Sequence, residues 1–255
     1  MKKKIFLSIA ASDSIGGAGI QADNRTASML GLYPVNVVTA ITAQNSLGVV
    51  MVEPVPMELV ICQLDCILQD FKPDCVKIGF LPTSECIKEI ALMLEKYKLS
   101  PIVLDPVLSP TRGSFDNSEN LGKHLIESFA GITTLITPNL QELEKLNSEK
   151  GDNIQSLFKA TLIKGGHAGG NSSNDLLIVN DPLGSKREIS YESVRIDTPN
   201  THGSGCVLSS AIACFLGLGM SLEEAVSKAK DFLCSHLQAN SQIRFGQGGY
   251  GPVIC

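Results

Sequence analysis

Between residues 4 and 164, short apolar runs alternate with stretches of helical periodicity, and that alternation limits the folds open to the chain. Strand-like runs occupy residues 4–11, 33–42, 74–78, 101–106, 132–136 and 160–163, with a shorter one at 47–52. Helical patterns separate them at residues 20–30, 56–69, 83–97 and 118–129, and another follows residues 137–142. The first run is apolar without a break, as expected of a strand covered on both faces. Such alternation builds a mainly parallel sheet with helices against it. Two later runs, at residues 176–180 and 187–190 with Gly184 between them, read as a small antiparallel hairpin, and a last helix spans 221–236. No linker and no internal repeat interrupts the sequence, so one domain over residues 1–255 is expected.

Charge and cysteine usage narrow the class. The net charge is −5 and the basic residues are scattered, which argues against a nucleic-acid partner. No apolar run approaches the ~18 residues of a membrane span. Lys2, Lys3 and Lys4 before apolar residues 5–11 have the outline of a short signal peptide. The run leads instead into a Gly loop and a helix, and is read as a buried strand. Of the eight cysteines, Cys62, Cys66, Cys75, Cys86, Cys214 and Cys234 lie in apolar patterns. Buried free thiols in a reducing cytosol explain this, so a cytoplasmic protein is expected. Cys62 and Cys66 have no second pair or His at ligand spacing, which argues against zinc.

Residues 196–220 carry the most chemistry. The first half, from Asp197 to Gly205, is polar and punctuated by glycine; the second, from Cys206, is small, apolar and helical in spacing, and stops at Gly217 and Gly219. A helix start leaves backbone amides without partners and adds positive character. Gly203 and Gly205 let a ligand come close, which makes an anion site, most naturally for phosphate. Cys206 at its mouth is expected to have a lowered pKa and to serve as base or nucleophile. Equally, Gly-Ser-Gly-Cys could serve only close packing, with Cys206 a small hydrophobe.

Polar groups also collect at the ends of the strand-like runs. Gly17 to Ala22 matches G-x-G-x-x-A, but the acid expected about 20 residues further on is missing; after Asp23 the next is Glu53. Gln44 and Asn45 either read a polar ring or make a turn. Asp105 ends another run. Asn139 and Glu142 fit a capping box, with a hydrated divalent cation on Glu142 as the other reading. Lys164-Gly165-Gly166-His167 suits a phosphate or a turn, and no Walker A sequence occurs.

Together these motifs resemble the ribokinase-like small-molecule kinases, and most closely the hydroxymethylpyrimidine/phosphomethylpyrimidine kinases of thiamine biosynthesis. The matching stretches include Gly16-Gly17-Ala18-Gly19-Ile20-Gln21-Ala22-Asp23, Ala43-Gln44-Asn45, Lys77-Ile78-Gly79 and Leu104-Asp105-Pro106-Val107. They continue with Thr137-Pro138-Asn139-Leu140 and Glu142, Lys164-Gly165-Gly166-His167, Asn200-Thr201-His202-Gly203-Ser204-Gly205-Cys206, and Gly251-Pro252-Val253. They stand in family order across nearly the whole chain. The resemblance implies a three-layer fold, ATP and Mg2+ as cofactors, a homodimer, and no nucleic acid or membrane as partner. It implies that Gly203, Ser204, Gly205 and Cys206 form the anion hole, with Cys206 as base and Lys164 on the ATP phosphate. Gln44 and the backbone around Ala18 and Val107 would hold the pyrimidine, with Asp23 and Phe80 beside it. Asn139, Thr201 and Lys230 would meet the nucleotide, and Asp105 and Glu142 the metal. Ala11, Ile15, Phe80 and Ser204 depart from the family pattern. The first three bear on the substrate pocket, which keeps a pyridoxal, pyridoxine or pyridoxamine kinase as the alternative.

Overall fold

The computed structural model describes residues 3–108, 120–151, 153–165, 172–181, 184–247 and 251–253. Along the chain lie β1 (Ile5–Asp13), α1 (Gly19–Met29), β2 (Tyr33–Asn45), β3 (Gly48–Pro54), α2 (Met57–Asp70) and β4 (Cys75–Ile78). There follow α3 (Ser84–Lys96), β5 (Ile102–Leu104), α4 (Leu121–Phe129), β6 (Leu135–Ile136), α5 (Leu140–Lys150) and β7 (Ala160–Ile163). β8 (Asp175–Asn180), β9 (Lys186–Tyr191), α6 (Ser204–Gly217) and α7 (Leu222–Ala239) complete the order. The strands form one sheet in the order β3-β2-β1-β4-β5-β6-β7-β8-β9. Pairing is parallel from β2 to β7. It is antiparallel at both edges, where β3 joins β2 and where β8 and β9 follow β7. This is the expected ribokinase-like architecture, with the expected hairpin at β8 and β9.

The β2–β3 pairing is additional. β2 runs three residues beyond its expected end, because Ala43, Gln44 and Asn45 pair with β3. The side chain of Asn45 accepts from the Leu47 amide at 2.8 Å, an Asx-type turn that reverses the chain. Residues 109–117, expected to be a loop, lie outside the described part, as do Gly166 and His167.

Strand alternation sorts the core into two layers. Ile5, Leu7 and Ile9 of β1 pack with Val60, Leu64, Ile87, Leu125 and Leu146 from α2 to α5. Phe6 faces the other way and packs with Ala27, Ala211, Ile212 and Val226 from α1, α6 and α7. Not every apolar pattern marks burial. Cys62 and Cys66, expected to be buried, are exposed, because they sit off the α2 stripe set by Val60 and Leu64.

The period of two also explains a buried charge. Lys77 shares a face with Cys75 in β4, so its side chain enters the α1–α6 layer. There its ammonium meets Asp23 at 2.8 and 3.0 Å, with both side chains fully buried. Ser210 donates to the same carboxylate at 2.8 Å, and Ser8 also donates to it. Removing one partner of such a pair strands the other, at a cost of about 3–5 kcal/mol. Lys77→Met is therefore expected to lower the urea midpoint by that measure, and Lys77→Met with Asp23→Leu to recover most of it. A midpoint unmoved by the single change would deny the pair any structural role.

Candidate active site

The carboxyl ends of β1, β4, β5, β6 and β7 open on one edge of the sheet, where ligands settle in such folds. A cavity of about 960 Å³ lies there, closed on one side by the β2–β3 hairpin and on another by the first turn of α6. Thirteen further expected residues besides Lys164 line it, and Asp23 does not. Asp23 was expected beside the pocket; burial under β4 puts it behind the wall, and its partner Lys77 is the residue that lines the cavity.

One end of the cavity is built for negative charge. Gly203 caps α6 at φ 80°, the left-handed region that favours glycine, and a Cβ there would overlap the carbonyl of Gly17. The Ser204 amide donates to the Thr201 carbonyl at 3.1 Å, which uses Thr201 to close the turn. A Cβ on Gly205 would stand 3.3 Å from Lys164 Nζ and 3.7 Å from Asp105 Oδ2, so the helix start and the ion pair share one space. Lys164 bonds Asp105 Oδ1 at 2.7 Å and lies 3.7 Å from Glu142. Burial works against its charge, but Asp105 and Glu142 outweigh that and hold its pKa above the ordinary lysine value. Burial also pushes Asp105 up, yet Lys164 and Lys77 bring it below the usual carboxylate range. Thr137 at 3.3 Å and Ser209 at 3.2 Å complete its partners. Glu142 is pushed up by burial despite Lys164.

The capping box is real: Asn139 accepts from the Glu142 amide, and Glu142 from the Asn139 amide, both at 2.8 Å. Glu142 thus caps α5 and also faces Lys164. Lys230 is less available than expected. Its ammonium is held by Asp175 and the Ser173 carbonyl, each at 2.6 Å, and the other oxygen of Asp175 accepts from the Gly165 amide at 2.8 Å.

Cys206 departs most from expectation. Burial pushes its thiol up to about 11; Lys77 opposes this, while Asp23 and Asp105 add to it. A helix start or a nearby cation lowers a thiol pKa, and burial raises it. Here desolvation and two carboxylates win, and neither is visible in residues 196–220.

Other lining residues suit a ring: Gln44 of β2, Val49 and Val52 of β3, Phe80 and Val107. Ala18 and Val107, whose surrounding backbone was expected to hold a pyrimidine, both line the cavity. Their own amides are already bonded, Ala18 donating to Asp13 at 2.7 Å and Val107 to the Asp105 carbonyl at 2.8 Å. Of the departing residues, Ala11 and Phe80 line the cavity, whereas Ile15 is exposed outside it. Asp13, Lys77, Asp175 and His202, for which no role was expected, also line the cavity. A charged residue inside an apolar strand run marked Lys77, and an acid at a strand end, as in Asp105, marked Asp13.

A phosphate-sized helix end beside a clamped lysine, with a ring-sized pocket opposite, is equipment for phosphoryl transfer to a small molecule, and with this sheet it makes the protein a ribokinase-like small-molecule kinase. The sequence profile described as phosphomethylpyrimidine kinase matches residues 13–253. The hydroxymethylpyrimidine/phosphomethylpyrimidine kinase of Rhizobium meliloti is 40% identical, with 98% of this chain and 96% of that one covered. The crystal structure of phosphomethylpyrimidine kinase from Clostridium difficile is 35% identical with a TM-score of 0.74, covering 91% of this chain and 99% of that one. An ADP complex of Bacillus subtilis pyridoxal kinase is 30% identical with a TM-score of 0.84, covering 98% and 96%. The chain belongs to the phosphomethylpyrimidine kinase family.

Proposed function

We propose that this protein transfers the γ-phosphoryl group of ATP to 4-amino-5-hydroxymethyl-2-methylpyrimidine, to its monophosphate, or to both, in thiamine biosynthesis. The observation that carries the proposal is the Lys164–Asp105 pair set beside Gly205 at the start of α6, where even a Cβ would stand 3.3 Å from Lys164 Nζ. Phosphoryl transfer asks a protein mainly for alignment and for charge compensation on the equatorial oxygens. The amides at the start of α6 and Lys164 supply that compensation, and Asp105 holds Lys164 in line. Cys206 takes the hydroxyl proton. Gln44 offers both a donor and an acceptor to an aminopyrimidine edge.

Magnesium suits the donor set as a partner of nucleotide phosphates rather than as a resident ion. Asp105 and Glu142 are hard oxygen donors of the kind it takes, and no group of three metal-binding side chains occurs among the described residues. Bound there with ATP, it would neutralise phosphate charge. The whole chain is read as one catalytic unit, and its free thiols suit the cytoplasm. Among the described residues, no helix is long and apolar enough to cross a membrane. A homodimer is expected, because Ile41, Val50 and Met51 expose apolar surface on the β2–β3 edge. Sedimentation should find two chains, and Met51→Glu should shift it to one.

Pyridoxal phosphorylation is the second reading, favoured by the higher TM-score of the Bacillus subtilis structure. Backbone likeness does not separate two ring substrates that one fold accepts; Gln44 favours the pyrimidine. Steady-state kinetics with the alcohol, its monophosphate and pyridoxal side by side decide it. The pyrimidines should show the higher kcat/KM, and no turnover of any of the three would remove the kinase proposal.

A further inference from the structure

Two loops that line the cavity meet through the side chains of Asp13 and His202. Asp13, at the end of β1, is almost fully buried. Its Oδ1 accepts from the Ile15 amide at 2.9 Å, and its Oδ2 from Gly17 and Ala18 at 2.9 and 2.7 Å. It therefore shapes the loop that leads into α1. The same Oδ2 bonds His202 Nε2 at 2.8 Å, across 189 residues of sequence. His202 immediately precedes Gly203, and its backbone is fixed on the far side. Its amide donates to Gly251 and its carbonyl accepts from Val253, both at 3.0 Å. Its ring lies so close to Gly17 that a Cβ there would overlap it. Gly203 in turn abuts the Gly17 carbonyl. Burial pushes the Asp13 carboxyl up, but His202, Ile15 and Ala18 outweigh it and hold it below the usual range. The carboxylate therefore stays ionised and accepts at neutral pH.

We propose that Asp13 and His202 are positioning residues that latch the loop of residues 13–18 to the loop that opens α6. The latch sets the α6 amides only when the wall around Ala18 is in place. Neither residue is assigned a bond to the reacting atoms; His202 acts through Gly203 and Gly205. This rests on the kinase reading for its kinetic consequence, but not for its structural one.

The test compares His202→Ala with His202→Gln, whose amide can still donate to Asp13, and adds Asp13→Asn and the Asp13→Asn/His202→Ala pair. For the substrate that wild-type enzyme phosphorylates, His202→Ala should lower kcat about 10- to 100-fold, the scale of displacing an aligned group by an ångström. KM should change less, and His202→Gln should restore most of kcat. The double variant should be no slower than the worse single one, since coupled residues are not additive. Hydrogen exchange of the whole protein supplies a second reading. Amides of residues 13–18 as well as 203–206 should exchange faster in His202→Ala, and not in His202→Gln. Equal kcat in His202→Ala and wild type, no rescue by Gln, or faster exchange confined to residues 203–206 would each overturn the latch. If wild-type enzyme phosphorylates neither pyrimidine nor pyridoxal, the proposed function falls, and the exchange pattern alone decides the latch.

Discussion

Lys164→Ala is expected to lower kcat by roughly 10²–10³-fold, the range for removing one preorganised stabiliser of transition-state charge, with a smaller change in KM for the pyrimidine. Lys164 lies beside Gly205 at the start of α6, where the transferring group is proposed to sit. It bears on the transferring group and not on the ring, and an interaction that strengthens in the transition state shows in kcat. Stability should fall as well. Lys164 is the close cation on Asp105, at 2.7 Å, and also faces Glu142. Its loss leaves buried Asp105 and partly buried Glu142 with only Lys77 in compensation, and the cost is about 3–5 kcal/mol. The two effects separate in Lys164→Met with Asp105→Asn. That variant removes both charges of the pair, should regain much of the lost denaturant midpoint, and should stay inactive. Wild-type kcat in Lys164→Ala would reduce Lys164 to a turn residue. Recovery of activity along with stability in the double variant would show that the single change had only unfolded the site.

The layers of this fold follow directly from the sequence because periodicity is a local property. Continuous apolar runs became central parallel strands, and Thr83, Asn139 and Ser221 cap their helices through the side chains their residue types suggest. The positions of the charges around the cavity were legible too, since strand ends in such a sheet converge on one edge. The pairing among those charges was not. Asp23 and Lys77 are 54 residues apart, Asp105 and Lys164 are 59, and Asp13 and His202 are 189. Each is a tertiary contact whose partner no window of sequence contains. The same gap explains the thiol: a helix start can be read from Gly-Ser-Gly-Cys, but the burial and the carboxylates behind it cannot.

Cys206→Ala should lower kcat at least ~100-fold, the lower range for a general base, and the dependence of rate on pH tells how. With the thiol raised to about 11, only a small fraction is thiolate at neutral pH, on the order of one part in 10³ to 10⁴. A rare thiolate is also a strong base, so low abundance and high basicity offset each other in part. The sign is fixed by which form works. Raising pH removes the thiol proton, and thiolate increases about tenfold per unit below its pKa. Lys164 and Lys77 stay protonated over that range, because both are held above the ordinary lysine value. Wild-type kcat should therefore climb with pH from 7 to 10, while Cys206→Ala stays low and nearly flat. Nucleotide affinity should persist in the variant, since the amides at the start of α6 belong to the backbone. Alkylation at pH 7 should mark the exposed Cys62 and Cys66 before Cys206, and Cys206 should react faster as pH rises and slower with the pyrimidine bound. Near-normal turnover in Cys206→Ala with an unchanged pH profile would reject the assignment. The thiol would then be packing, and the hydroxyl proton would pass to water or to the phosphate.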